Sequence, residues 1–439
     1  MLTYYLKLAL LRCRQNITVI LLLAATMAVG IASCMTTLTI FTAVSGDPVP
    51  GISSNLHVVT MDAREVIDRT NNGYLEPDGY LGLTDAKAIV DAHQATRQVA
   101  LAQSYTRLSN GDDTRSDEAL GLMAYGAALE SIGATLKYGR SWTSAEELAH
   151  SPVIVIDTDV AHRLFGEENA VGRRVKVGDR VFDVIGVFSP WVPRTQFLDI
   201  HRNTGTVVGK SEQFLVPLEA ALEANIGPLT TGECGKDAAI VSFQSTQVKS
   251  CRWLEVWVTL NSESAIAAYH QFLSNYGNAQ RVAGRFAYAP QAKLFDAKAW
   301  MKSNRVVPND VLLNVLLAGA FLFLCMVNVV GLLVARFRRR TSDVAIRRAL
   351  GAPRHELFRQ HFIEAAVLSG FGCIFALPLT WLGLWVVRIQ PVPYAQAANL
   401  DPVTLVALLM LSLGIGALVG ILPAWDICRL SPALQIKRA

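Results

Sequence analysis

The sequence predicts an α-helical membrane protein with four transmembrane helices and a large mixed α/β domain inserted between the first and second. Three observations carry that prediction. Of 439 residues, 51 % are hydrophobic and only 17 % are charged, whereas an average soluble domain is about 25 % charged. Four stretches are long and apolar enough to cross a bilayer as helices, which takes roughly 20 residues each. Between the first two, residues 45–308 have ordinary globular composition. The same figures exclude other classes. Disorder needs low hydrophobicity and high charge. The 31 Gly and 17 Pro show no repeat, and 7 Cys in this length do not make a disulfide scaffold.

In chain order, residues 1–16 read as a cytoplasmic amphipathic segment, followed by a span over 17–44. A cleaved signal peptide is the alternative, but this apolar run exceeds the roughly 7–15 residues of a signal core. The later spans are placed at 311–335, 362–387 and 402–425, with a loop at 336–361 and a tail at 426–439. None holds Lys or Arg in its core, where a charge costs about 2.5–3.5 kcal/mol on insertion scales. Polar residues such as Ser33, Thr36, Thr37, Asn314, Asn328 and Ser369 are available to bond between helices.

Charge sets the orientation. Residues 45–308 carry 25 basic and 30 acidic side chains, and the remainder carries 15 and 6. Lys7, Arg12 and Arg14 precede the first span, and eight arginines crowd the loop from Arg336 to Arg359. Arg429, Lys437 and Arg438 follow the fourth span. By the positive-inside rule both termini and this loop are cytoplasmic, and the large domain faces the periplasm of a bacterial inner membrane. Membrane lipid is then a partner, and no nucleic-acid partner is expected.

Within the domain, Ser151-Pro-Val-Ile-Val-Ile-Asp157 reads as a buried strand and Asp159–Phe165 as a short helix. The alternation from Arg173 to Val187 around Gly178-Asp179 reads as a hairpin, with Val175, Val177, Val181 and Val184 expected inside. Leu254–Leu260 alternates again, Ser262–Tyr276 has helical period, and residues 108–118 read as a polar loop. Cys234 and Cys251 lie on the oxidising side and form a candidate disulfide; two buried thiols are the alternative. His57, His93, His150, His162, His201 and His270 show no metal-ligand spacing, and no metal site is expected. Glu146-Glu147 and Glu167-Glu168 read as solvated faces. Gly205-Thr-Val-Val-Gly209-Lys210-Ser211 looks like a phosphate-binding loop but has three residues between its glycines where four are needed. No catalytic residues and no directly bound cofactor are expected, so the chain reads as a non-enzyme.

The most specific segment follows Arg336. Ser342 can cap a short helix over 343–350, Gly351 stops it where left-handed backbone is needed, and Pro353 opens the next helix. A basic loop that only anchors topology would explain the arginines but not this ordered cap, stop and restart. The run Asp343-Val-Ala-Ile-Arg-Arg-Ala-Leu-Gly-Ala352, followed by Glu364, resembles the signature of MacB/FtsX-type ABC transporter permeases. Leu164-Phe165-Gly166, Asn169-Ala-Val-Gly172, Phe182-Asp-Val-Ile-Gly-Val187 and Gly139-Arg140 resemble the family's periplasmic core domain. Pro423-Ala-Trp425 with Leu430-Ser-Pro-Ala-Leu434 resembles its end.

That resemblance implies a permease subunit that acts as a homo- or heterodimer with a separate ABC ATPase, which would hold ATP and Mg. It implies mechanotransmission, in which closure of the ATPase is passed through the helices to the periplasmic domain. Asp343, Ile346, Arg347, Arg348, Gly351, Ala352 and Glu364 are the residues it assigns to that coupling. Efflux of a peptide or antibiotic through a periplasmic adaptor and outer-membrane channel is the leading expectation. FtsX-like regulation and lipoprotein release are the alternatives within the same resemblance.

Overall fold

The computed structural model describes residues 17–49, 51–63, 79–193, 195–200, 212–230, 251–288, 291–304, 306–307, 309–338, 353–390, 395 and 402–429. The chain divides into two compact units, Ser45–Val307 on one side and Met1–Val44 with Pro308–Ala439 on the other.

Helix α1 spans Ile17–Ser45 without a charged residue. It buries Leu23, Met27, Ile31 and Met35, spaced four apart, and leaves Leu21, Leu22 and Val29 exposed. An apolar stripe inside and apolar side chains outside is the pattern of a helix solvated by lipid.

The inserted unit is built on one sheet. Its strands are β1 (Leu56–Thr60), β2 (Leu81–Gly82), β3 (Arg97–Asn110), β4 (Ser116–Gly126), β5 (Leu136–Gly139), β6 (Val153–Asp157), β7 (Arg174–Val177), β8 (Arg180–Phe188), β9 (Phe214–Pro217), β10 (Arg252–Thr259) and β11 (Lys293–Asp296). Its helices are α2 (Leu83–Asp91), α3 (Ala128–Ile132), α4 (Ser144–Leu148), α5 (Thr158–Phe165), α6 (Leu218–Glu223), α7 (Glu263–Val282) and α8 (Ala297–Ser303). The strand order is β11-β1-β10-β3-β4-β9-β6-β8-β5, with β2 on β10 and β7 paired to both β3 and β8. Those pairings make a closed circuit of β3, β4, β9, β6, β8 and β7. The length of β3 makes closure possible. Its Arg97–Leu101 end pairs with β10 and its Leu108–Asn110 end with β7, while β4 runs along most of its other edge. Inside lie Leu108, Val175, Phe182, Ile154, Phe214 and Met123, all nearly inaccessible. A ring of strands has fewer free edges for unwanted pairing.

Local chemistry fixes the helix ends. Asp157 caps α5 by accepting the Val160 N–H at 2.6 Å, and Gly166 ends it in left-handed backbone. Thr143 and Glu146 form a reciprocal capping box on α4. Ser262 caps α7 and Asp296 caps α8. The expected strand, helix and hairpin between residues 151 and 188 all form.

Three expectations are corrected. Val181 is 45 % exposed and Phe182 is buried in its place. Positions 181 and 184 are an odd number apart, so a period of two cannot put both inside. Residues 108–118 are not a free loop: β3 runs to Asn110, β4 starts at Ser116, and only the tip turns. Glu147 is not solvated but 7 % exposed.

After the inserted unit come α9 (Asn309–Arg338), α10 (Arg354–Arg388) and α11 (Pro402–Arg429). Ile17–Ser45, Asp310–Arg336 and His355–Arg388 are each long and apolar enough to cross a membrane. The fourth apolar stretch forms α11. Helices α9 and α10 run beyond the expected spans, to Arg338 and from Arg354. The apolar face of α1 packs with Leu322, Val329 and Leu333 of α9, Ala365 and Ala376 of α10, and Ile415 and Val419 of α11.

Candidate functional site

Of the residues assigned to coupling, Asp343, Ile346, Arg347, Arg348, Gly351 and Ala352 lie outside the described residues. The structure describes what flanks them. Helix α9 ends at Arg338, and α10 starts at Arg354 with Pro353 in extended backbone at its cap. Pro353 thus precedes the first helical residue, where its missing N–H costs nothing.

Glu364, the seventh assigned residue, lies ten residues into α10, about 15 Å along its axis. It is 2 % exposed. The Arg336 guanidinium of α9 approaches it, with Nη2 3.5 Å from Oε1. Both side chains are nearly closed off, at 9 % and 3 % exposure. The gap is an ion pair and too long for a good hydrogen bond. None of the three Arg336 nitrogens has a hydrogen-bond partner among the described residues. Arg336 therefore depends on Coulomb attraction, which is screened weakly where both groups are closed off from water. The pair joins the two helices that bracket the Arg-rich segment.

Sequence reasoning placed Arg336 among the loop's basic residues and missed this partnership. A signal existed. Glu364 is the lone acidic residue of the 362–387 span, and a carboxylate in an apolar helix calls for a cationic partner facing the bundle interior.

The helices meet at small residues. A Cβ placed on Gly372 of α10 would stand 2.7 Å from Met27 Cβ, and one on Gly383 would stand 2.6 Å from Thr36 Oγ1. Glycine at these positions lets α10 approach α1 closely, because a side chain there would meet Met27 or Thr36. Pro378 interrupts the α10 hydrogen-bond ladder between those two glycines. Thr380 bonds back to the Ala376 carbonyl at 2.8 Å.

Several polar clusters tie elements of the inserted unit together. Asp85 accepts from Tyr276 Oη at 2.6 Å and Arg285 Nη2 at 3.0 Å, tying α2 to α7. Tyr80 donates to Asp199, and Glu255 accepts from Asp199 N–H at 3.1 Å and Trp257 Nε1 at 2.9 Å. Burial, reinforced by Asp199 and Glu255, pushes the Tyr80 hydroxyl above its ordinary range. Glu146 pairs with both Arg140 nitrogens at 2.7 Å, which holds its carboxyl down at about 2. Glu167 pairs with Arg173, and Glu168 with Lys137. His150 meets Glu223 and His270 meets the Ala292 carbonyl. No group of metal-ligating side chains occurs among the described residues. Cys251 is disulfide-bonded; Cys234 and the glycine-rich segment at 205–211 lie outside the described residues.

Residues 20–276 match the MacB-like periplasmic core domain, and residues 315–432 match the FtsX-like permease C-terminal family. Among curated relatives, the macrolide export ATP-binding/permease protein MacB of Rhodopirellula baltica is 25 % identical over 325 residues, covering 68 % of this chain and 42 % of the relative. The pyoverdine export ATP-binding/permease protein PvdT of Pseudomonas entomophila is 23 % identical over 363 residues, covering 81 % of this chain and 48 % of the relative. The chain thus spans less than half the length of these relatives. The periplasmic region of MacB from Actinobacillus actinomycetemcomitans aligns at 16 % identity with a TM-score of 0.35, over 59 % of this chain and 96 % of that one.

Proposed function

The chain belongs to the MacB/FtsX-type ABC transporter permeases, and from that membership we propose that it couples ATP hydrolysis on a separate ABC ATPase subunit to movement of its periplasmic domain. ATP and Mg act on that partner. The segment from Asp343 to Ala352 is the contact with the ATPase, and Arg336–Glu364 is the tie through which its displacement reaches both flanking helices. The chain works with a second permease copy or a related chain. All four long helices cross the inner membrane, with both termini cytoplasmic. The cargo is a peptide, antibiotic or similar compound, passed to a periplasmic adaptor and an outer-membrane channel. The relatives named for macrolide and pyoverdine export support this direction.

The observation that carries the coupling reading is the buried ion pair itself. A family member needs only apolar helices to stay in the membrane. Two opposite charges held out of water between α9 and α10, at the base of the Arg-rich segment, are expensive and add nothing to anchoring. The test is affinity capture of the tagged chain from mild-detergent membranes, with mass spectrometry of its companions. An ABC ATPase together with an adaptor is the expected result. An ATPase with a cell-wall hydrolase or signalling protein would keep the mechanics and replace export with regulation. Loss of any ATPase, under conditions that preserve other complexes, would overturn the proposal.

A further inference from the structure

A cleft of about 610 Å³ opens between the C-terminal end of α2, the start of β3, the β4–α3 turn and α4. We propose that it binds the ammonium group of a small organic amine.

Three carboxylates line it: Asp91, Glu130 and Glu147. Arg97 is the one Lys or Arg side chain among its lining residues, and its Nη1 donates to the Glu130 carbonyl oxygen at 3.3 Å. The lining is therefore net negative, which repels anions and favours a cation. Glu147 is the anchor. It is 7 % exposed. Its Oε1 accepts from the Gly126 N–H at 3.0 Å and from Trp142 Nε1 at 3.4 Å. No described group hydrogen-bonds to Oε2. Burial raises the Glu147 carboxyl above its ordinary range, so a bound cation would lower the cost of its charge.

Asp91 accepts the Tyr125 hydroxyl at 2.8 Å through Oδ1 alone. The second carboxylate oxygens of Glu147 and Asp91, on a negative wall, call for N–H donors on a positive ligand, which a primary ammonium supplies. Trp142 adds an aromatic wall. The unit already shows the attraction of such a face for an ammonium, since Lys87 Nζ lies 4.9 Å over the Tyr125 ring. A divalent metal fits less well, because no group of three ligating side chains converges among the described residues.

The test uses the full chain in lipid nanodiscs and isothermal titration calorimetry with phenethylamine. Its neutral isostere, 2-phenylethanol, controls for partition into lipid. The Glu147→Gln variant keeps an oxygen for Gly126 and Trp142 but removes the charge. The Asp91→Asn variant likewise keeps an acceptor for Tyr125 and removes the charge, at an exposed position. Saturable amine binding is expected, at least tenfold weaker for the alcohol and for Glu147→Gln, and several-fold weaker for Asp91→Asn. Absence of saturable amine binding overturns the proposal. So does equal binding of the alcohol, or unchanged amine binding in Asp91→Asn together with any folded Glu147→Gln.

Discussion

Removing Glu364 leaves the Arg336 guanidinium, whose nitrogens have no hydrogen-bond partner among the described residues, buried in an apolar bundle. At 3.5 Å and an effective dielectric of about 20, the attraction is roughly 5 kcal/mol. Breaking a buried pair by deleting one partner costs about 3–5 kcal/mol in measured systems, because the survivor keeps its desolvation penalty. Glu364→Leu is expected to destabilise the chain by that order, and Arg336→Leu by no more. The double variant removes both penalties along with the attraction. It is expected to recover most of the loss, because apolar replacement of a buried pair is neutral or stabilising in several systems. The assay is a double-mutant cycle on equilibrium unfolding in mixed micelles titrated with dodecyl sulfate. An interaction energy of at least about 2 kcal/mol is expected, within the range seen for residues in contact. The same variants are then assayed for stimulation of the partner ATPase by the permease. The double variant should fold and yet lose stimulation, since stability returns without the tie. Additive single effects, within about 0.5 kcal/mol, would refute the pair. Full stimulation in a folded double variant would refute its role in transmission.

Two further outcomes follow from the same geometry. Asp157 is fully buried, its Oδ2 has no partner among the described residues, and burial raises its carboxyl to about 6. The folded chain then holds a proton that the unfolded chain releases near 3.8, so stability falls as pH rises through the window from about 4 to 6, by up to about 3 kcal/mol. Asp157→Asn keeps the cap acceptor and should raise the melting temperature at pH 7.5 with little effect at pH 4.5; parallel pH profiles for the two proteins would contradict this. In α10, Gly372→Ala should cost about 1–3 kcal/mol through the clash with Met27. Gly370→Ala, which meets nothing within 4 Å among the described residues, should be neutral or stabilising by up to about 1 kcal/mol. Equal effects in the same unfolding assay would deny the close seam between α1 and α10.

Periodicity and composition alone located the four long helices, because each is an apolar run of the roughly 20 residues that a spanning helix needs. They also located the run from Val153 to Phe188, where turn glycines and caps specify each element within a few residues. They did not reveal the closed ring of strands. Ring closure rests on β3 pairing with β7, through Leu108 and Val177, more than sixty residues apart. Nothing local marks that contact, and the polar tip at 108–118 concealed the strands on either side. Val181 and Phe182 show the same limit at smaller scale, because an apolar residue on each face of a strand leaves the inward one to be chosen by what lies opposite. Glu364 was legible as a residue out of place in an apolar helix. Only the packing of α9 on α10 supplied its partner, since a buried charge is tolerated where another element brings the opposite charge within a few ångströms, and chain order does not record that distance.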